Sequence, residues 1–139
     1  MTTKDNQKVF FGKEKVSVIP NSSDVQSFGP LPKKRFFNRF GIKDETKVFI
    51  YAGTFGKVNE VDYLVDLANQ FKLDDRIYFL AIGFGSEFER LKNYAKDIGV
   101  YERRLSFFEA LPKKDIYELL SRADMVCSLT QDNKVLEWN

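Results

Sequence analysis

The chain has 139 residues, of which 43% are hydrophobic and 30% are charged, and its net charge is +2 from 22 basic and 20 acidic residues. This composition is typical of a globular chain and excludes a disordered or fibrous one. The two signs of charge are interspersed, which argues against a nucleic-acid partner, and apolar runs such as 77–82 are far too short to span a bilayer.

The first 41 residues are predicted to contain a tail, one short strand and one short helix. Residues 1–15 are mostly polar and are predicted to form a lead-in tail. Residues 16–19 alternate in polarity and predict a strand that ends at the turn formers of 20–24. A short helix is expected at 33–40, because phenylalanines recur there at one-turn spacing and Gly41 can end the helix.

From residue 47 onward, strand and helix patterns alternate. Strands are predicted at 47–52, 76–82, 104–108 and 124–130, and helices at 59–71, from a capping box at 86–89 to residue 98, and around 116–120. The run 76–82 is apolar on both faces, as in a central strand covered by helices on each side. Repeated strand–helix units predict an α/β fold, a Rossmann-like doubly wound parallel sheet, in a single domain over 16–139.

Cysteine and histidine usage narrows the chemistry. The chain has no histidine, so it cannot supply a Ser-His-Asp triad, a Cys-His dyad or the usual zinc ligands. The lone Cys127 lies in a strand-like run and is interpreted as a small core residue in a reducing compartment, which favours a cytoplasmic location. No dense carboxylate cluster is present, and we predict no metal site.

The turn after the strand at 47–52 is the main candidate for a binding site. It contains Gly53, Thr54, Gly56 and Lys57, directly before a predicted helix. Glycines let the backbone approach a ligand closely, and the first amides of a helix lack intrahelical partners. An anion there would meet amide donors, a favourable helix dipole and the positive charge of Lys57. The pattern therefore predicts a phosphate-binding turn.

Three well-known fingerprints are absent from the chain. The dinucleotide pattern Gly-x-Gly-x-x-Gly, begun at Gly83, needs a glycine where Phe88 stands, and the P-loop needs a serine or threonine where Val58 stands. The hydrolase pattern Gly-x-Ser-x-Gly is missing as well, and Ser86 is interpreted as a helix cap. These absences argue against NAD binding, P-loop ATPase activity and serine hydrolysis.

Several segments, taken in order, resemble the motifs of one enzyme family. Residues 18–24 resemble the family's Val-Ile-Pro-Asn-Gly-Val-Asp segment, 49–57 its first strand and phosphate turn, and 81–87 its Val-Gly-Asp-Gly-Pro-Glu segment. Residues 105–112 are similar to Val-x-Phe-x-Gly-x-Val-Pro, and 117–124 to the Leu-x-x-Ala-Asp signature. In this order the segments resemble the nucleotide-binding domain of GT-B glycosyltransferases of family 4. Members of that family from exopolysaccharide and O-antigen pathways often show a similar Gly-x-x-Gly-Lys turn.

The resemblance implies the donor-binding part of an enzyme that transfers a sugar from a nucleoside diphosphate sugar, UDP being the expected nucleotide. The acceptor would be a glycan or a lipid-linked glycan, with retention of configuration and without a cofactor or metal. The implied diphosphate site consists of Gly53, Thr54, Gly56 and Lys57, and the implied base and ribose site of Gly83, Gly85, Glu109, Leu111 and Pro112. A cytoplasmic enzyme is implied, peripheral to the inner face of the membrane.

The chain also departs from the family pattern. Gly83-Phe84-Gly85-Ser86 stands for Gly-Asp-Gly-Pro, so the aspartate contact is lost, and Asn59 or Glu60 stands near a position that is often basic. The family's later Glu-x7-Glu segment and its N-terminal acceptor-binding domain are not among the 139 residues. We therefore expect a fragment that contains no catalytic residue and cannot transfer sugar alone.

Two other functions stay open at this point. A GT-B sugar-nucleotide epimerase is one, although the lack of histidine argues mildly against it because such enzymes use several acid/base groups. A non-catalytic α/β regulatory or interaction domain is the other. Receiver-like domains need clustered acids and a phosphorylatable aspartate where this chain has Gly53-Thr54.

Overall fold

The computed structural model describes residues 36–131, which form a four-stranded parallel sheet with helices on both faces. The strands are β1 (Lys47–Thr54), β2 (Ile77–Phe84), β3 (Leu105–Phe108) and β4 (Met125–Cys127), and the α-helices are α1 (Asp62–Gln70), α2 (Phe88–Asp97) and α3 (Lys113–Leu120). The predicted tail, the strand at 16–19 and the turn at 20–24 lie outside the described residues. The domain limits 16–139 stay a prediction.

The strand order confirms the predicted doubly wound sheet. The order is β3-β2-β1-β4, and all three neighbouring pairs are parallel. The chain thus builds outward from β1 through β2 to β3, and then returns to place β4 on the other side of β1. In such sheets ligands bind outside the carboxyl ends of the strands, near the point where the order reverses. That edge carries the glycine turns after β1 and β2.

Two apolar clusters cover the two faces of the sheet. Side chains of α1 and α2 pack on one face with Phe79 and Ala81, whereas α3 packs on the other face with Leu80 and Ile82. Adjacent residues of β2 therefore alternate between the clusters, as side chains of a strand must. The prediction that this strand is central and buried on both faces is confirmed.

Cys127 lies half-buried at the end of β4 and packs against the cluster on the α1 side. Burial raises the pKa of its thiol, so less thiolate is present near neutral pH than for a free cysteine. This agrees with its interpretation as a core residue. Among the described helices, none has the length and apolar character needed to cross a membrane.

Some predicted boundaries are wrong. The strand predicted at 124–130 is shorter, and the helix predicted from residue 59 begins at Asp62, after a 3-10 turn (Lys57–Asn59) and a left-handed Glu60 with φ 43°. The short helix expected at 33–40 is a 3-10 helix (Phe37–Phe40) that ends, as predicted, at Gly41 in the left-handed conformation, and residues 33–35 lie outside the described range.

The capping box predicted at 86–89 is wrong as well. The residue before α2 is Glu87, and it makes no side-chain cap hydrogen bond. Its carboxylate instead accepts a hydrogen bond from Arg90 Nε at 2.6 Å. The Glu87 side chain therefore forms an ion pair with Arg90 in the first turn of the helix, and the Ser86 hydroxyl does not cap the helix.

Asp124, from the Ala-Asp signature, joins the end of α3 to the beginning of β1. Its amide donates to the Val48 carbonyl at 2.9 Å, and its Oδ2 accepts from the Val48 amide at 2.8 Å. Its Oδ1 lies 3.1 Å from Lys47 Nζ. Because these contacts are at the amino end of β1, the signature aspartate aligns β4 with the sheet and stands at the opposite edge from the glycine turns.

Candidate functional site

The two glycine turns singled out from the sequence lie side by side at the carboxyl edge of the sheet. In the β1–β2 ladder, Gly53 is opposite Gly83 and Thr54 is opposite Phe84. Just beyond the ladder, the Phe55 amide donates to the Phe84 carbonyl at 2.8 Å. The turn after β1 and the turn after β2 therefore form one continuous backbone surface.

Gly83 and Gly85 are required for this close approach. A Cβ atom at Gly83 would lie 1.8 Å from the Gly53 carbonyl oxygen, and one at Gly85 would lie 2.3 Å from the Phe55 carbonyl oxygen. Their φ angles of 151° and 154° belong to a region that is essentially restricted to glycine. The two glycines thus fix the position of the neighbouring turn, and their predicted role at the base and ribose stays a prediction.

Phe55 anchors the turn in the apolar core, a role that was not predicted from the sequence. Its side chain is fully buried, and its ring packs against the rings of Tyr51, Phe88 and Phe107 at centroid distances of 5.6, 5.1 and 5.9 Å. Its carbonyl accepts the Glu87 amide at 2.9 Å. The available signal was a large aromatic residue between two glycines, where a solvent-exposed turn would favour a small or polar residue.

Gly53 and Gly56, at the start and middle of the turn, are less tightly enclosed by backbone. A Cβ atom at Gly53 would lie 2.9 Å from the Tyr51 hydroxyl, and one at Gly56 would lie 3.2 Å from Asn59 Oδ1. The Tyr51 hydroxyl donates to the Thr54 carbonyl at 2.7 Å, and burial raises the pKa of Tyr51. A buried side chain therefore holds the backbone of Thr54 in place.

The turn presents donors without acceptors. Within residues 36–131, no group accepts a hydrogen bond from the amides of Gly56, Lys57 or Val58, and no carboxylate pairs with the exposed Lys57 ammonium. The Asn59 amide closes the 3-10 turn onto the Gly56 carbonyl at 3.0 Å. Unpaired amides beside a lysine are chemically suited to bind a phosphate group.

The sequence predicted that these amides would be the first amides of α1, and this prediction is wrong. The helix begins at Asp62, five residues after Lys57, so the helix dipole does not act directly at the turn. The donors belong to a short irregular segment instead. Anion binding there would depend on local amides and on Lys57 more than on the dipole.

An ion-pair cluster neutralises the acidic start of α1. Arg90 of α2 donates two hydrogen bonds to the Asp62 carboxylate, both at 2.8 Å, and a third to Glu87 at 2.6 Å. The Arg90 hydrogen bond holds the pKa of Asp62 below its ordinary value, and the pKa of Arg90 is raised in turn. The Asp62 carboxylate near the turn is therefore compensated, and α1 and α2 are joined at their amino ends.

The remaining predicted residues follow β3 at the same edge of the sheet. Glu109 and Pro112 are exposed, whereas Leu111 is half-buried and packs against the apolar cluster on the α3 face. Pro112 directly precedes α3, and its carbonyl accepts the amide of Asp115 at 2.9 Å. Leu111 and Pro112 thus have structural roles, and their contact with a base stays a prediction.

All the site residues predicted from the sequence therefore follow, or end, three adjacent strands at one edge. The structure brings together the glycine turns after β1 and β2 and places the 109–112 loop after β3, beside β2. In the described part of the chain, no three acidic or cysteine side chains are grouped so that they could hold a metal ion.

Comparison with known proteins gives a family and a fold. The sequence model of the family described as glycosyl transferases group 1 matches residues 32–134. No curated protein matches the chain.

Three solved structures illustrate the fold. The first is WaaG, a glycosyltransferase involved in lipopolysaccharide biosynthesis, with 17% identity and a TM-score of 0.71; the match covers 91% of this chain and 35% of WaaG. The second is HepE of Anabaena in complex with UDP and glucose, with 18% identity and a TM-score of 0.72; the match covers 89% of this chain and 34% of HepE. The third is a mutant of S. aureus TarM in complex with ligands that include UDP, with 19% identity and a TM-score of 0.56; the match covers 63% of this chain and 17% of TarM. At these identities the similarity shows the fold alone. The chain spans about a third of the length of WaaG and HepE.

Proposed function

The chain belongs to the family of group 1 glycosyl transferases, and on that premise we propose that it is the donor-binding part of a GT-B enzyme. The enzyme would transfer a sugar from a nucleoside diphosphate sugar, with UDP as the nucleotide, to a glycan or lipid-linked acceptor, with retention of configuration. The observation that carries the proposal is the set of unpaired amides at Gly56, Lys57 and Val58, beside the ammonium of Lys57, at the carboxyl edge of the sheet.

The chemistry of sugar transfer explains why such donors matter. When the bond between the sugar and the diphosphate breaks, negative charge grows on the departing diphosphate. Donors that are already held in position stabilise that charge without having to reorganise. The turn meets this condition because Phe55 is buried and its amide and carbonyl are both hydrogen-bonded to the chain around Gly85.

The rest of the nucleotide would lie over the neighbouring strand ends. We propose that ribose and base extend from the turn across Gly83 and Gly85 toward the 109–112 loop, which follows the next strand of the sheet. The contacts would be mostly to backbone, because Gly83 and Gly85 carry no side chain and Leu111 packs into the core cluster.

The acceptor would bind to another part of the enzyme. This proposal is supported by the comparison with WaaG, of which the chain covers 35%. We propose that the 139-residue chain by itself binds the donor and does not transfer sugar, and that the complete enzyme acts in the cytoplasm, where a lipid-linked acceptor would bring it to the inner face of the membrane.

The proposal is tested by substituting Lys57 in the complete protein, meaning these 139 residues with any sequence the gene encodes on either side. Lys57→Ala removes one charge-assisted contact to the diphosphate, worth about 1.5–3 kcal/mol, and should weaken UDP binding about 10- to 150-fold. The measurement is isothermal titration calorimetry with UDP.

The matched control is Lys43→Ala, an exposed lysine near the amino end of β1, which should bind UDP like the wild type. Equal UDP affinity of the Lys57→Ala variant and the wild type would remove Lys57 from the site. Product analysis of the complete protein separates transfer, which releases UDP and extends the acceptor, from epimerisation, which leaves the sugar on the nucleotide.

A further inference from the structure

Phe84 is a large apolar side chain that protrudes at the candidate site. It is 67% exposed, whereas the other phenylalanines among the described residues are buried or half-buried. Its ring has no aromatic or cationic partner among those residues. Leaving most of a phenylalanine ring in water forgoes burial that the chain achieves for the others. The ring is therefore accessible to a ligand at the candidate site, where it lies opposite Thr54 of the glycine turn.

The backbone under this ring is held rigidly. Phe84 ends β2 opposite Thr54, and its carbonyl accepts the Phe55 amide at 2.8 Å. It stands between Gly83 and Gly85, whose conformations are nearly restricted to glycine. Because the backbone is already fixed, only the side-chain torsions of Phe84 remain to be ordered when a ligand binds, which favours affinity.

Strand alternation shows to which side of the sheet the ring belongs. Leu80 and Ile82 pack in the cluster on the α3 face, and Phe84 follows them on the same face at the next alternate position. Phe108, opposite Ile82 in the ladder, and Leu111 join that cluster. Phe84 is therefore flanked by the strand that leads into the Lys57 turn and by the strand that leads into the 109–112 loop.

We propose that Phe84 is a stacking platform for the base of the nucleotide, a role that rests on the proposed function of the adjoining turn. A planar base and a phenyl ring attract each other through their faces, and this attraction does not depend on which base is present. Phe84 should therefore discriminate a nucleoside diphosphate from inorganic diphosphate, while contributing little to the choice between uracil and other bases.

The test compares the binding of UDP and of inorganic diphosphate to the complete protein and to three variants. Phe84→Leu should weaken UDP binding at least about fivefold, because an aliphatic side chain does not stack, and should leave diphosphate binding unchanged. Phe84→Tyr keeps the ring and should keep the affinity for UDP. Tyr63→Leu is the matched control, because Tyr63 is 62% exposed but belongs to α1, on the other face of the sheet, and it should bind both ligands like the wild type.

The outcomes separate this proposal from the function on which it rests. If Phe84→Leu binds UDP as tightly as the wild type while Lys57→Ala does not, the platform is wrong and the diphosphate site stands. If Phe84→Leu loses affinity for UDP and diphosphate equally, Phe84 acts on the turn and not on the base, and the platform is again wrong. If the wild-type protein binds neither ligand, both proposals fail.

Discussion

The close contact between the ends of β1 and β2 gives a quantitative prediction for Gly83→Ala. The added methyl carbon would lie 1.8 Å from the Gly53 carbonyl oxygen, well inside the 3.0 Å below which such contacts are essentially never seen. Relieving the overlap by shifting the strands should cost about 1–3 kcal/mol. Holding alanine at a φ of 151° should add about 1–3 kcal/mol. The sum is about 2–6 kcal/mol, a large part of the roughly 5–15 kcal/mol that stabilises a domain.

Gly41→Ala is the control that separates strain from overlap. Gly41 also has a positive φ, 74°, but a Cβ atom there would have nothing within 4 Å. Its substitution should therefore lower the free energy of unfolding by about 1–2 kcal/mol, the cost of holding alanine in the left-handed conformation. The assay is urea unfolding of the three proteins, followed by circular dichroism.

The comparison of the two variants shows whether overlap with the Gly53 carbonyl adds to the conformational cost of Gly83→Ala. We expect Gly83→Ala to lose more free energy of unfolding than Gly41→Ala, by about 1 kcal/mol or more. Equal losses would refute the reasoning, because they would mean that the ends of β1 and β2 separate at no cost and that Gly83 does not fix the position of the turn.

Two other substitutions test contacts away from the glycine turns. Asp124→Ala should lower the free energy of unfolding by about 1.5–3 kcal/mol, since it leaves the Val48 amide without its carboxylate acceptor. Lys47→Ala removes only the exposed partner of Asp124 and should lower the free energy of unfolding by under about 1 kcal/mol. Similar losses for the two variants in urea unfolding would contradict this assignment. Asp62→Asn should cost under about 1 kcal/mol near pH 7, because the ion pair is partly exposed. Since Arg90 lowers the pKa of Asp62 in the folded chain, its stabilisation is present above the ordinary carboxyl pKa and is lost as the pH falls through the folded value. The difference between the thermal midpoints of wild type and Asp62→Asn should therefore shrink as the pH falls below the ordinary carboxyl range, and a difference that persists unchanged would argue against the ion pair.

Local sequence was a good guide to the elements and a poor guide to some of their ends. The run that forms β2 was identified as a central strand because its residues are apolar on both faces. Such a run is typical of a strand that is covered by helices on both sides of the sheet. The start of α1 was placed three residues too early, since the apolar spacing of Val61, Leu64 and Val65 continues back into a segment where Glu60 adopts a left-handed conformation.

The failed capping box has a comparable cause. The pattern at 86–89 satisfied the local rule for a helix start, but contacts from distant parts of the chain decided the outcome. The Glu87 amide donates to the Phe55 carbonyl, and its carboxylate shares Arg90 with Asp62. A local rule cannot anticipate bonds to residues that are about thirty positions away in the chain.

The sequence alone determined the succession of strands and helices, the parallel sheet and the glycine turn with its lysine, because apolar periodicity and glycine positions are properties of short segments. Only the tertiary structure decided that Gly53 meets Gly83, that Phe55 anchors the turn in the core and that Phe84 protrudes beside it. These relations depend on the register between two strands and on the packing of helices across them, which arise only when the whole sheet has assembled.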